Sequence, residues 1–202
     1  MRDDYLKKIV MLLIASLILI SAIPCISYAD NDKKIIANGT CGVEDNLTWQ
    51  IDDTGTLTIS GKGEMEDFGF DEDANEWIYP GWYEYADSIN TVIVSTDVSG
   101  IGNDAFREYE SIVNVELPEN LEYIGKSAFK GCVNLDSVYL SGSVNDIGDN
   151  AFANCSNLII RCEENSYAHN YAIENSISFI LADNDDDQLR GQNAASGECG
   201  AD

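Results

Sequence analysis

One six-residue phrase recurs three times at a fixed interval, and this recurrence constrains the fold more than any bulk property does. Ile101-Gly102-Asn103-Asp104-Ala105-Phe106 returns as Ile124-Gly125-Lys126-Ser127-Ala128-Phe129 and again as Ile147-Gly148-Asp149-Asn150-Ala151-Phe152, each time 23 residues on. Apolar positions outside the phrase keep the same interval. Val98, Leu121 and Val144 stand three residues before each Ile. Tyr109, Cys132 and Cys155 stand three after each Phe, and Ile112, Leu135 and Leu158 three further on. Val115 with Leu117 recurs as Val138 with Leu140. An incomplete earlier copy, Ile89, Val92 and Val94, precedes Ile112, Val115 and Leu117 by the same 23 residues. In the last copy, Leu158, Ile160 and Cys162 imply the loss of one residue. A period of this length is the mark of stacked, similar units.

Each copy reads as strand, bend and return. In Ser137-Val138-Tyr139-Leu140 the apolar residues alternate with polar or outward ones, so Val138 and Leu140 share one face while Ser137 and Tyr139 share the other. Ile124-Gly125 marks a bend, where glycine permits close backbone approach. Ala128-Phe129-Lys130-Gly131-Cys132 suits a short helical turn or an irregular return. A single coil is not stable alone: the few apolar side chains it buries fall short of the entropy lost in ordering it. Stacking supplies the missing burial and pairs each strand with the next, at about 4.8 Å per coil. The expectation is four coils, three complete and one degenerate.

The string IGxxAFxxCxxLxxVxL, complete at residues 124–140, resembles the BspA-type leucine-rich repeats of bacterial surface and secreted proteins. The resemblance covers residues 76–180. It implies an α/β fold, a short right-handed leucine-rich-repeat solenoid with its strands on one face, and a role in interaction rather than catalysis. Adhesins belong to the same family, but no ligand-binding motif comes with the repeat itself.

The flanks complete the expected organisation. Residues 1–29 read as a signal peptide: Arg2, Lys7 and Lys8, an apolar run from Ile9 to Ile23, Pro24, and Ser27-Tyr28-Ala29 at the cleavage site. The apolar run is too short to span a bilayer. Residues 30–75 form an N-terminal β cap segment, in which Leu47, Trp49 and Ile51 pair as a hairpin with Leu57 and Ile59 across Asp52-Asp53-Thr54-Gly55. Residues 76–180 hold the repeats and a C-terminal helical cap over 165–175, with Ser166 as N-cap and a last strand at Ile177, Phe179 and Ile180. Residues 181–202 read as an acidic disordered tail carrying Cys199.

The net charge of −25 argues against nucleic acid and anionic lipid as partners, since both are repelled. The expected partner is an extracellular protein or glycan, with no membrane association after signal removal. No enzyme activity, cofactor or metal is expected. His169, the one histidine, lies in the expected cap helix, and no motif of an activated nucleophile surrounds it. Asp71-Glu72-Asp73-Ala74-Asn75 begins like a calcium loop, but Glu76 replaces the required glycine and Trp82 the required glutamate. The alternating Asp183, Asp185 and Asp187 also lack the remaining ligands.

Two candidate surfaces remain. The outward strand positions Ile93, Glu116, Tyr139 and Arg161, with Thr91, Asn114 and Ser137 beside them, are the candidate ligand face. The aromatic junction around Trp77 and Trp82, with Tyr79, Tyr83 and Tyr85, is either a sugar-stacking site or the packing between cap and repeats. Cys132 and Cys155, at one place in adjacent coils, are either a disulfide or two buried thiols.

Overall fold

The computed structural model describes residues 33–182. The signal segment with Cys25, and the tail from residue 183 with Asp183, Asp185, Asp187 and Cys199, lie outside the described residues.

The chain begins with an antiparallel meander of β1 (Ile35–Thr40), β2 (Leu47–Asp52) and β3 (Thr56–Gly61). The alternation at Leu47, Trp49, Ile51, Leu57 and Ile59 buries one face, as the sequence implies. Asp52 closes the β2–β3 turn: its carboxylate accepts from the Thr54 and Thr56 amides at 2.9 and 3.0 Å. β1 was not part of the expected hairpin. Its sequence, IIANGT, carries no clean alternation, and Ile35 and Ile36 stay exposed, so pairing to β2 rather than burial defines it.

After β4 (Gly63–Glu64), β5 (Gly69–Asp71) and β6 (Glu76–Ile78) form a separate two-stranded hairpin. Its turn is held by Asp71, whose carboxylate accepts from the Asp73 and Ala74 amides. The coils follow as β7 (Thr91–Val94), β8 (Val98–Ile101), β9 (Asn114–Glu116), β10 (Tyr123–Ile124), β11 (Ser137–Leu140), β12 (Asp146–Ile147) and β13 (Ile159–Cys162). Helix α1 (Tyr167–Glu174) and β14 (Ser178–Leu181) close the stack. The Ser166 hydroxyl accepts the His169 amide at 3.1 Å, so Ser166 is the N-cap.

Two sheets run along the stack, in the orders β1-β2-β3-β7-β9-β11-β13-β14 and β12-β10-β8-β4. Thr91 pairs with Asn114 and Asn114 with Ser137, each 23 residues apart; Ser137 pairs with Ile159, 22 apart, which is the residue lost from the last copy. The result is a β-solenoid of about four such turns with one C-terminal helix. The N-terminal meander caps the stack by extending its sheet, with Trp49 of β2 edge-on against Trp82. β3 is itself a rung, pairing in parallel with β7 from Thr56↔Thr91 to Ile59↔Val94. Those partners are 35 residues apart, 12 more than the regular step, and the extra length accommodates the β5–β6 hairpin.

Between the sheets, one aromatic ring per coil forms a ladder. Trp82, Phe106, Phe129 and Phe152 stack with centroid distances of 5.7, 5.1 and 5.3 Å. Edge-on rings stop the ladder at both ends: Trp49 and Phe68 against Trp82, and Tyr171 against Phe152. Parallel backbone bonds run beside the ladder, Phe106 N–H to Ala128 O and Phe129 N–H to Ala151 O, both 2.8 Å. In the first coil the Trp82 indole N–H takes this role, donating to Ala105 O at 3.3 Å. Polar side chains also bridge coils: Asn134 and Asn157 donate to the carbonyls of Glu110 and Val133.

Among the described residues the cysteines, Cys41, Cys132, Cys155 and Cys162, are free thiols. Cys132 donates to Phe106 O at 3.2 Å and Cys155 to Phe129 O at 3.0 Å, so each bonds to the preceding coil. Burial pushes the Cys41 thiol up from 9.0 to about 12, with Glu66 adding to the effect, and burial pushes Cys155 up to about 11. Burial and the neighbouring Cys155 raise Cys132 further still. Above pH 9.0 the unfolded chain releases thiol protons that the folded chain keeps, so stability falls as pH rises. For Cys41 the loss is about 1.4 kcal/mol per pH unit, and it runs until pH reaches about 12. Urea midpoints should therefore hold steady from neutral pH to pH 9 and fall above it, with a shallower fall in Cys41→Ala. Native protein at pH 8 should leave Cys41 and Cys132 unalkylated until urea is added. A midpoint unchanged at pH 11 would contradict this.

Candidate functional site

The parallel register turns outward strand positions into a continuous row. Thr58, Ile93 and Glu116 are direct partners across β3, β7 and β9. Tyr139, Arg161 and Ile180 are direct partners across β11, β13 and β14. The Asn114↔Ser137 pairing sets Glu116 beside Tyr139 and joins the two halves. Gln50 and Asn38 extend the row over the meander. The structure thus brings together all four residues expected for this face, each exposed or half-buried. Sequence reasoning missed the four flanking positions, Asn38, Gln50, Thr58 and Ile180. Gln50 and Thr58 alternate with buried residues just as Tyr139 does, and that signal was available in the sequence.

At the C-terminal ends of the middle strands the row runs into an open hollow of 410 Å³, lined by Glu119, Tyr139, Ser141, Gly142, Ser143 and Glu163. The Ser141 hydroxyl donates to Glu119 O at 2.6 Å, and the Glu163 carboxylate accepts the Gly142 amide at 3.1 Å. Two acidic side chains beside a phenol favour a cationic or hydroxyl-bearing group over an anion.

The two tryptophans of the aromatic junction part company. Trp82 is 0% exposed and forms the first rung of the ladder, so no ligand reaches it; this corrects its assignment as a candidate binding residue. The reason is packing: Phe106 presents a flat face at the end of the regular coils, and Trp82 is the ring that covers it. Trp77 lies on β6 and is 43% exposed. Around it, Phe70, Tyr79 and Tyr83 are also exposed and form a run of touching rings. The Arg107 guanidinium lies 5.2 Å from the Trp77 ring centroid and is paired with Asp104 at 3.2 Å.

The repeat grammar seen in this geometry has a counterpart among known sequences. Residues 76–181 match the BspA type leucine-rich repeat region (6 copies). The chain belongs to this family. Solved structures to which the chain is similar include three leucine-rich repeat proteins. One from Eubacterium ventriosum is 22% identical, with a TM-score of 0.41 over 64% of this chain and 45% of that one. One from Bacteroides capillosus is 27% identical, with a TM-score of 0.38 over 62% and 98%. The T. pallidum leucine-rich repeat protein is 23% identical, with a TM-score of 0.33 over 59% and 70%. The chain thus spans less than half of the Eubacterium ventriosum protein. No curated protein matches it.

In this BspA-type repeat protein the remaining candidate groups have structural partners. The His169 ring nitrogen Nδ1 accepts the Asn165 amide at 3.0 Å, and the ring packs edge-on against Phe179 at 4.6 Å. The carboxylate of Asp71 is engaged by its own turn. Among the described residues, no three His, Cys, Asp or Glu side chains come together as a metal site, and no helix is long and apolar enough to cross a membrane.

Proposed function

We propose that this BspA-type repeat protein is a secreted or cell-surface binding module, without catalytic activity, that engages an extracellular protein or glycan along its strand face. The observation that carries this reading is the outward row through Ile93, Glu116, Tyr139 and Arg161, continued by register onto the flanking strands. A flat face of this kind offers many shallow contacts rather than one enclosing pocket, which suits a macromolecular surface. The signal-like segment 1–29 supports export, and the charge of −25 favours a neutral or basic partner.

The test is a surface-binding screen of residues 30–202 against matrix proteins and glycans. For a partner so found, the Glu116→Ala, Tyr139→Ala double variant should bind about tenfold more weakly or worse, because central aromatic residues carry most interface energy. Its melting temperature should match that of the parent. Undiminished affinity in the folded double variant would move the site off the strand row.

A further inference from the structure

The β5–β6 hairpin pairs only with itself and joins neither of the two long sheets. It inserts into the regular step, turns out from the stack and carries Phe70 and Trp77 into solvent at 49% and 43% exposure. Tyr79 and Tyr83 continue the run, exposed to 51% and 48%. Trp77 and Tyr79 stack at 23° with centroids 6.2 Å apart, and Tyr79 meets Tyr83 at 4.2 Å. Beneath them lies a cavity of 220 Å³ whose polar walls are Asp104, Arg107, Glu108 and Tyr109. These residues come from the return arc of the second coil, so the cavity is formed by two coils and lies off the strand row.

Two features set this cavity apart from ordinary packing. Tyr109 is 2% exposed, and its hydroxyl is buried without a hydrogen-bond partner. A buried polar group left unsatisfied is costly, and phenylalanine would fill the same space without that cost. The equivalent positions in the next coils are Cys132 and Cys155, both of which donate to a carbonyl. Glu108 has a left-handed backbone, φ 62°, where the next two coils place Gly131 and Asn154, residue types suited to that conformation. The left-handed turn belongs to the repeat, and in this coil alone of the three it carries a charged side chain, Glu108, to the wall of the cavity.

The chemistry of the walls selects the ligand. Exposed aromatic faces attract a flat apolar surface. Arg107 already occupies a face of Trp77, which disfavours a second cation there, while Asp104 and Glu108 disfavour an anion. What remains is a neutral ring with a carbon–hydrogen face and a hydroxyl edge that both donates and accepts hydrogen bonds. At 220 Å³ the cavity is smaller than the roughly 300–1,000 Å³ of drug-sized sites, so it holds one ring, not an extended chain. We infer that this aromatic cavity is a binding site for one pyranose unit of a neutral saccharide, stacked on Trp77 and Tyr79 and hydrogen-bonded by Asp104, Arg107, Glu108 and Tyr109. This site is separate from the strand face proposed above and stands whether or not that face binds a partner.

The test is calorimetric and tryptophan-fluorescence titration of residues 30–202 with cellotetraose, mannotetraose and chitotetraose. At least one should bind with a millimolar or tighter constant. Trp77→Ala should abolish that binding without lowering the melting temperature, because the ring packs on the surface. Tyr109→Phe should bind about tenfold more weakly, with a melting temperature equal to or above that of the parent. Val113→Ala, at an exposed position outside both the cavity and the strand row, should titrate as the parent does. The inference is overturned if none of the three sugars binds, if Trp77→Ala and Tyr109→Phe bind as the parent does, or if tetramethylammonium binds more tightly than every sugar.

Discussion

Phe129→Ala should be among the most damaging single truncations in the chain, costing about 3–5 kcal/mol of stability. Phe129 is 0% exposed and is stacked on both sides, 5.1 Å from Phe106 and 5.3 Å from Phe152. Removing the ring deletes its own burial and also leaves two neighbouring rings facing a void. The walls cannot collapse, because the flanking Phe129 N–H to Ala151 O and Phe106 N–H to Ala128 O bonds hold the coil spacing. For a domain of this size the melting temperature should fall on the order of 10 °C. The loss also lies midway along a stack whose coils touch only their neighbours, so the urea transition should broaden as the two ends unfold separately. Val113→Ala, at a site 42% exposed, should change stability by no more than about 0.5 kcal/mol. Equal effects from the two variants in urea denaturation would show that the ladder does not hold the coils together.

Gly125→Ala should be the second large effect, for the opposite reason: there is no room. A Cβ on Gly125 would lie 2.6 Å from both Asn103 N and Gly102 C, which are backbone atoms of the previous coil. Gly148 repeats the arrangement, 2.5 Å from Lys126 N. Side chains can rotate away from such a contact, but backbone held by the Gly125 N–H to Ile101 O bond at 2.8 Å cannot. Adjacent coils must separate locally, at a cost at or above the upper end of the usual 1–3 kcal/mol for overpacking. Gly142→Ala is the matched control. Its Cβ would meet the Glu163 carboxylate oxygen at 2.7 Å, the far end of a flexible side chain that can swing aside. Its effect should stay within about 0.5 kcal/mol. Thermal melts of the two variants side by side check the distinction, and a mild Gly125→Ala would refute the claim of backbone contact between coils.

These two sites also show which parts of the fold could be read in advance. Phe129 and Gly125 belong to the repeated phrase, and both repeat because every coil meets the same neighbour in the same way. The four outward residues at the centre of the strand row were legible for the same reason, from alternation within one strand and the interval between strands. The row's full extent was not, because β1 and β2 join it by antiparallel pairing across a meander that has no 23-residue period. The first coil was harder still. Its strand, β3, sits 35 residues before β7, and the inserted hairpin hides the step from any search for a regular period.

The aromatic segment marks the limit most clearly. Trp77, Tyr79, Trp82 and Tyr83 are close in the chain and similar in chemistry, so composition and spacing treat them alike. The fold treats them differently, because only one ring can cover the exposed end of the Phe106–Phe129–Phe152 stack, and Trp82 fills that place. The others are left outside, where they surround a cavity floored by an unpartnered phenol. By itself the sequence determined the solenoid, its 23-residue step, its buried ladder and its outward strand positions, since these follow from local periodicity repeated coil after coil. Only the tertiary structure decided where the stack begins, how far the strand face extends and which tryptophan remains open to a ligand, since at the end of a stack there is no preceding coil to dictate the packing.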